Sequence, residues 1–177
     1  MKMKTAYLIL ATAALLASCE KKEVAAAPTA SAPSAALSTV LTATPTGEPT
    51  PIHLIRASAK PGDQITVRGK IMGNEKPFVE GRAAFILGDP EVLTACNEDP
   101  ADKCTTPWDN CCDSPEDKKR GIATIQIVGA DGRVLKESAE GVQGLANLAT
   151  VTVTGKVAEG SSADLLIINA QAVRTGK

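Results

Sequence analysis

From Ile52 onward, apolar and polar residues alternate in short runs. Ile65-Thr66-Val67-Arg68-Gly69-Lys70-Ile71 has the period of two expected of a half-buried strand. Ala83–Leu87 and Ala123–Val128 predict a second and a third strand. Gly129-Ala130-Asp131-Gly132 then supplies a turn that lets Arg133-Val134-Leu135 fold back as a hairpin. Val142, Leu145, Ala146 and Leu148 fall at helical spacing and predict a short helix over 140–148, weakened by Gly141 and Gly144. Thr150–Val157 alternates again, with Val151, Val153 and Val157 on one face and Thr150, Thr152, Thr154 and Lys156 on the other. Asp164–Val173 predicts a last strand, apolar on both faces at Leu165-Leu166-Ile167-Ile168.

Three strands, a short helix and two strands make a mainly β chain in the order of an OB-fold-like five-stranded Greek-key barrel. An internal echo agrees. Thr66-Val67-Arg68-Gly69-Lys70-Ile71 reads almost as Thr152-Val153-Thr154-Gly155-Lys156-Val157. A glycine inside a strand marks a bulge or a sharp bend at a barrel corner. In such a barrel the first and fourth strands are neighbours, so both glycines are expected where the sheet coils.

The start of the chain has a different texture. Met1-Lys2-Met3-Lys4 is basic, Thr5–Ala17 is apolar, and Leu16-Ala17-Ser18-Cys19 closes the run. The apolar stretch is about a dozen residues, short of the ~20 that span a bilayer. It resembles a bacterial lipoprotein signal peptide over 1–18 with its lipobox. The resemblance implies cleavage before Cys19, lipidation of its thiol and an address in the cell envelope. Glu20 rather than Asp after the cysteine leans the address towards the outer membrane, facing the periplasm. From Val24 to Pro51 the chain is mostly Ala, Pro, Ser and Thr. No apolar period is evident there, so residues 19–51 are expected to be a disordered tether. Pro28, Pro33, Pro45 and Pro49 argue against a long helix within it. The folded domain is then expected over 52–177.

All four remaining cysteines fall between the second and third strands, in an acidic insertion over 88–121: Cys96, Cys104, Cys111 and Cys112. Outside the cytoplasm an even set of thiols forms disulfides. A Cys111–Cys112 bridge would close a strained ring, which leaves Cys96 and Cys104 each to pair with one of those two. Such bridges would staple a long insertion that has few apolar residues. The alternative is a metal or thiol-redox site, since four thiolates suit zinc or copper(I). Paired C-x₂-C knuckles are missing, so the first expectation is no metal and no cofactor. The carboxylates of the insertion lack calcium-loop spacing and read as a solvated loop.

Trp108, after Pro107, either packs against the barrel end or serves as a recognition anchor. With Asp109, Phe78 and Arg82 it forms the candidate binding set. His53 is the chain's one histidine and is expected at the surface. H-E-x-x-H, Walker A and G-x-S-x-G patterns are absent, so no enzyme is predicted. The formal net charge is −1 and falls to −3 once Lys2 and Lys4 leave with the signal. Nucleic acid is therefore not an expected partner.

Lys76-Pro77-Phe78-Val79-Glu80-Gly81-Arg82-Ala83-Ala84-Phe85, then Cys96, Cys104 and Thr106-Pro107-Trp108-Asp109-x-Cys111-Cys112, resemble an uncharacterised family of bacterial lipoproteins with an OB-like domain. The resemblance implies secretion and the barrel, and no activity. The resulting expectation is a non-catalytic binding module, tethered to the membrane by its lipid, that meets an unidentified envelope protein or ligand.

Overall fold

The computed structural model describes residues 32–176. The expected signal sequence and lipidated Cys19 lie outside them. Among the described residues no helix is long and apolar enough to cross a membrane.

Five strands form a mainly β domain: β1 (Gln64–Ile71), β2 (Ala84–Gly88), β3 (Ile122–Gln126), β4 (Thr150–Val157) and β5 (Leu166–Thr175). They close into a barrel in the order β1-β2-β3-β5-β4. β1 is antiparallel to both β2 and β4, so it closes the ring. β3 and β5 run parallel, and every other neighbouring pair is antiparallel. Alternate residues point inward. Val67, Ile71, Phe85, Ile125, Val153 and Ile168 are fully buried in the barrel core. The fold-back after β3 is present as a single Val128–Val134 bridge.

The two echoed glycines sit where strands approach most closely. A Cβ on Gly69 would meet the Gly88 carbonyl oxygen at 2.6 Å and Leu87 Cγ at 2.7 Å, so β1 can cross β2 only because that atom is missing. Gly155 would bring a Cβ against the Asn169 carbonyl, and the β4–β5 register shifts between Thr154 and Gly155. β1 and β4 are neighbours, as the echo predicts, with Ile65 opposite Gly155 and Gly69 opposite Val151.

The tether expected over 19–51 is corrected for its described part. Ala35–Thr42 is helix α1, capped by the Ser34 hydroxyl, which accepts from Leu37 N. Leu37 is fully buried in the barrel core, Leu41 nearly so, and Val40 packs beside them. These three apolar positions lie on one helical face, and Pro33 and Pro45 flank the helix instead of interrupting it. The chain after α1 also stays on the barrel. Thr46 N donates to Thr154 Oγ1 at 3.0 Å, and Thr50 N donates to Thr66 O at 2.9 Å. That cover buries Thr154, which the alternation of β4 places on the solvent side; its hydroxyl lies 2.8 Å from that of Thr66, its partner across β1 and β4. The ordered domain therefore takes in α1.

Two further short helices were not expected: α2 (Ile52–Arg56), with Ile52 fully buried, and α3 (Pro115–Gly121). The latter starts on a Ser114 cap with Pro115 in its first turn. It carries Glu116 and Asp117 early and Lys118, Lys119 and Arg120 late, complementing the helix dipole. The helix expected over 140–148 reduces to one 3₁₀ turn, Val142–Gly144. Gly141, Gln143 and Gly144 all have positive φ, which a continuous helix cannot accommodate.

Candidate functional site

Between β2 and β3 the chain leaves the barrel and returns through α3. The departure is fixed by Asp89, which is 1% exposed. Its carboxylate accepts from His53 N at 3.0 Å, Glu91 N at 2.9 Å and His53 Nδ1 at 2.8 Å. Burial alone would raise its pKa, but these three donors outweigh burial and hold it below the ordinary carboxylate value. His53 is thus not the free surface residue expected; its side chain is 18% exposed and ties α2 to the start of the segment. Nor is Asp89 part of a solvated loop.

A second, smaller apolar cluster supports the segment. Met72, Leu93 and Ala95 are buried together, with Val92, Trp108, Ile122 and Leu148 packed around them. Backbone bonds then fold the segment over on itself: Cys96 N donates to Asp109 O at 2.8 Å and Asn97 N to Pro107 O at 2.9 Å. This pairing carries Cys96 alongside the Cys111 region. Thr94 N donates to Asp113 Oδ2 at 2.9 Å, and Lys118 Nζ to Cys111 O at 3.0 Å, which anchors the far side to α3.

The four thiols converge as a result, but they do not pair two by two. None of the four is bridged to another in the structure. Cys96 Sγ lies 3.6 Å from Cys111 Sγ, and Cys111 Sγ lies 3.8 Å from Cys112 Sγ; a disulfide needs about 2.05 Å. The sulfurs of Cys96, Cys104 and Cys111 all lie within 4.8 Å of one another. Asp102, Cys111 and Cys112 form a second such group, so Cys111 belongs to both. Four sulfurs placed about 2.3 Å from a tetrahedral metal would stand roughly 3.8 Å apart. The Cys96–Cys111 contact is close to that edge.

The protonation of the thiols differs with place. Burial pushes Cys96 well up, aided by Asp102 and Cys111. Hydrogen bonding from the Thr106 hydroxyl, 3.1 Å from Cys104 Sγ, pulls Cys104 down. Cys112 is raised by its contact with Cys111 and by the charges of Cys111 and Asp102. The cluster thus contains one thiol whose pKa is lowered and two whose pKa values are raised.

The candidate binding set is not one site. Phe78 packs in the barrel core, its ring tilted 47° to that of Phe85 at 5.8 Å, and also borders the cavity that Trp108 lines. Arg82 lines an open groove with Arg133 and Lys136. Trp108 lines a different cavity beside the cysteine segment, and Val79 borders both. Asp109 is partly buried and structural: its carbonyl accepts the Cys96 N–H and its Oδ1 accepts the Asn110 N–H at 2.7 Å. Asn110 is 1% exposed and neither atom of its side-chain amide has a partner. Its burial had no signal in the sequence beyond its place next to Cys111. No family model, curated protein or solved structure matches the chain.

Proposed function

We propose that this chain is a lipid-anchored envelope protein whose cysteine-rich insertion binds a thiophilic metal ion, zinc(II) or copper(I), without catalysing a reaction. The observation that carries the reading is the convergence of Cys96, Cys104 and Cys111 within 4.8 Å, with the sulfurs of Cys96 and Cys111 3.6 Å apart. Cys112 and Asp102 group with Cys111 alone, so the three thiols form the core of the proposed site. The barrel is OB-fold-like: its strand order and its parallel β3–β5 pair support that reading, with the insertion mounted between strands 2 and 3. Membrane attachment through Cys19, the envelope address and membership of the lipoprotein family rest on the sequence alone. This inverts the order of the two functional expectations. The thiol site now leads, and partner recognition around Trp108 is secondary to it.

The test is metal analysis of the protein purified without chelators, beside its intact mass before and after reduction. Stoichiometric zinc or copper with four titratable thiols is the expected result. A metal-free protein lighter by about four hydrogens than its reduced form would mean two disulfides and would end the proposal.

A further inference from the structure

We infer that the thiol site proposed above, on which this step rests, is a trigonal copper(I) site built from Cys96, Cys104 and Cys111, with Cys112 outside its coordination. The number of donors carries the assignment. The sulfurs of Cys96, Cys104 and Cys111 lie within 4.8 Å of one another, whereas Cys112 groups with Cys111 and Asp102 and completes no four-sulfur set. Distance does not separate the candidate ions. At a metal–sulfur length of about 2.3 Å, a tetrahedron holds its sulfurs roughly 3.8 Å apart and a planar triangle roughly 4.0 Å apart. Donor number does separate them. A structural zinc site is almost always tetrahedral, with four protein ligands. Copper(I) is a soft, closed-shell, monovalent ion that thiolates select, and three of them satisfy it.

A fourth donor for zinc is not at hand among the described residues. His53, the chain's one histidine, is bonded through Nδ1 to Asp89 and belongs to neither group. The carboxylates of the segment are engaged by main-chain N–H groups. Asp102 Oδ1 accepts from Cys104 N at 2.8 Å, and Asp99 Oδ1 from Ala101 N at 2.8 Å. Asp109 Oδ1 accepts from Asn110 N at 2.7 Å, and Asp113 Oδ2 from Thr94 N at 2.9 Å. These bonds set the path that brings the three sulfurs together, so turning a carboxylate onto the metal would disturb the site it joined. Carboxylate oxygen is also a hard donor, suited to other ions than copper(I). On ligation each thiol gives its proton to water, and three S–H bonds are exchanged for three copper–sulfur bonds. Three thiolates around one monovalent ion leave the cluster anionic. Lys118 Nζ, donating to Cys111 O at 3.0 Å, places a positive charge beside it.

The full-length protein is reduced, stripped of metal and titrated with copper(I) and with zinc(II) in the absence of oxygen, each against a chromogenic chelator. X-ray absorption of the copper-loaded protein should count three sulfurs around the ion. Cys112→Ser should leave copper(I) affinity unchanged. Cys104→Ser should weaken it by more than about 100-fold, beyond what the loss of a supporting group costs. Far-UV circular dichroism verifies the fold of both variants, and X-ray absorption on the unaltered chain keeps the test independent of them. Four sulfurs around copper, or equal losses from the two replacements, would bring Cys112 into the site and overturn the trigonal assignment. Zinc held with a Kd below about 1 nM, as four-ligand structural sites hold it, would show that a fourth donor closes on the trio and would overturn the assignment too. Each of these results leaves a metal site in place. Failure of the reduced protein to bind either ion would end the metal reading and the copper assignment together.

Discussion

Replacing Leu37 by alanine separates a docked helix from a tether. If residues 19–51 were a free linker throughout, Leu37→Ala would leave stability unchanged. In the structure Leu37 is fully buried in the same cluster as Val67, Phe85 and Ile125. Removing most of a buried leucine side chain forfeits about 2 kcal/mol of transfer free energy, and the cavity left behind adds to it. Leu→Ala replacements in well-packed cores cost roughly 3–5 kcal/mol. Here α1 is a short peripheral helix of 8 residues and can detach instead of leaving a void. Detachment caps the loss, so about 2–4 kcal/mol is expected. For a domain of this size that lowers Tm by roughly 6–15 °C. The assay is thermal and urea unfolding followed by far-UV circular dichroism, with Leu54→Ala as control. Leu54 is 56% exposed in α2 and should change stability by less than about 0.5 kcal/mol. Equal, near-zero effects of both replacements would refute the docking of α1.

Three further outcomes are expected. Gly69→Ala should destabilise by roughly 1–3 kcal/mol, because the new methyl would stand 2.6 Å from the Gly88 oxygen, and urea midpoints check it. Asp89→Ala leaves two backbone N–H groups and the His53 ring without their acceptor and should cost about 3 kcal/mol at pH 6. The Asp89 pKa is depressed in the folded state, so its contribution is present above the unfolded value near ~3.9 and is lost as pH falls through the folded one. Unfolding at pH 6 and at pH 3 should therefore show the gap between wild type and Asp89→Asn closing in acid. Metal affinity should rise with pH, because Cys96 is held protonated by burial and must lose its proton to become a ligand. Competition with a chromogenic chelator between pH 6 and pH 8 measures it, and a flat profile would contradict thiolate ligation.

Much of the barrel is legible along the chain because a strand's signal is local. Val151, Val153 and Val157 alternate with Thr150, Thr152 and Lys156, and an inside and an outside follow from a period of two. The echo of Gly69 and Gly155 was readable for the same reason: close strand approach removes a Cβ wherever it occurs. The helix expected over 140–148 was misread because apolar spacing alone carries no information about φ. Gly141, Gln143 and Gly144 turn the backbone the other way. The docked helix was hidden by composition. Eight residues bounded by prolines look like linker, and only a core open at that point gives Leu37 and Leu41 a place to bury.

The sequence by itself determined which residues form strands and which cysteines share a segment. It also determined that Cys19 stands apart from the other four. Only the tertiary structure decided that three sulfurs meet at one place, with Cys111 touching both Cys96 and Cys112. That outcome depends on where the chain leaves β2 at Asp89, how Cys96 and Asp109 pair, and where α3 returns it to β3. A loop's path is set by contacts with distant residues, here His53, Met72 and Trp108, and no period along the chain encodes those distances.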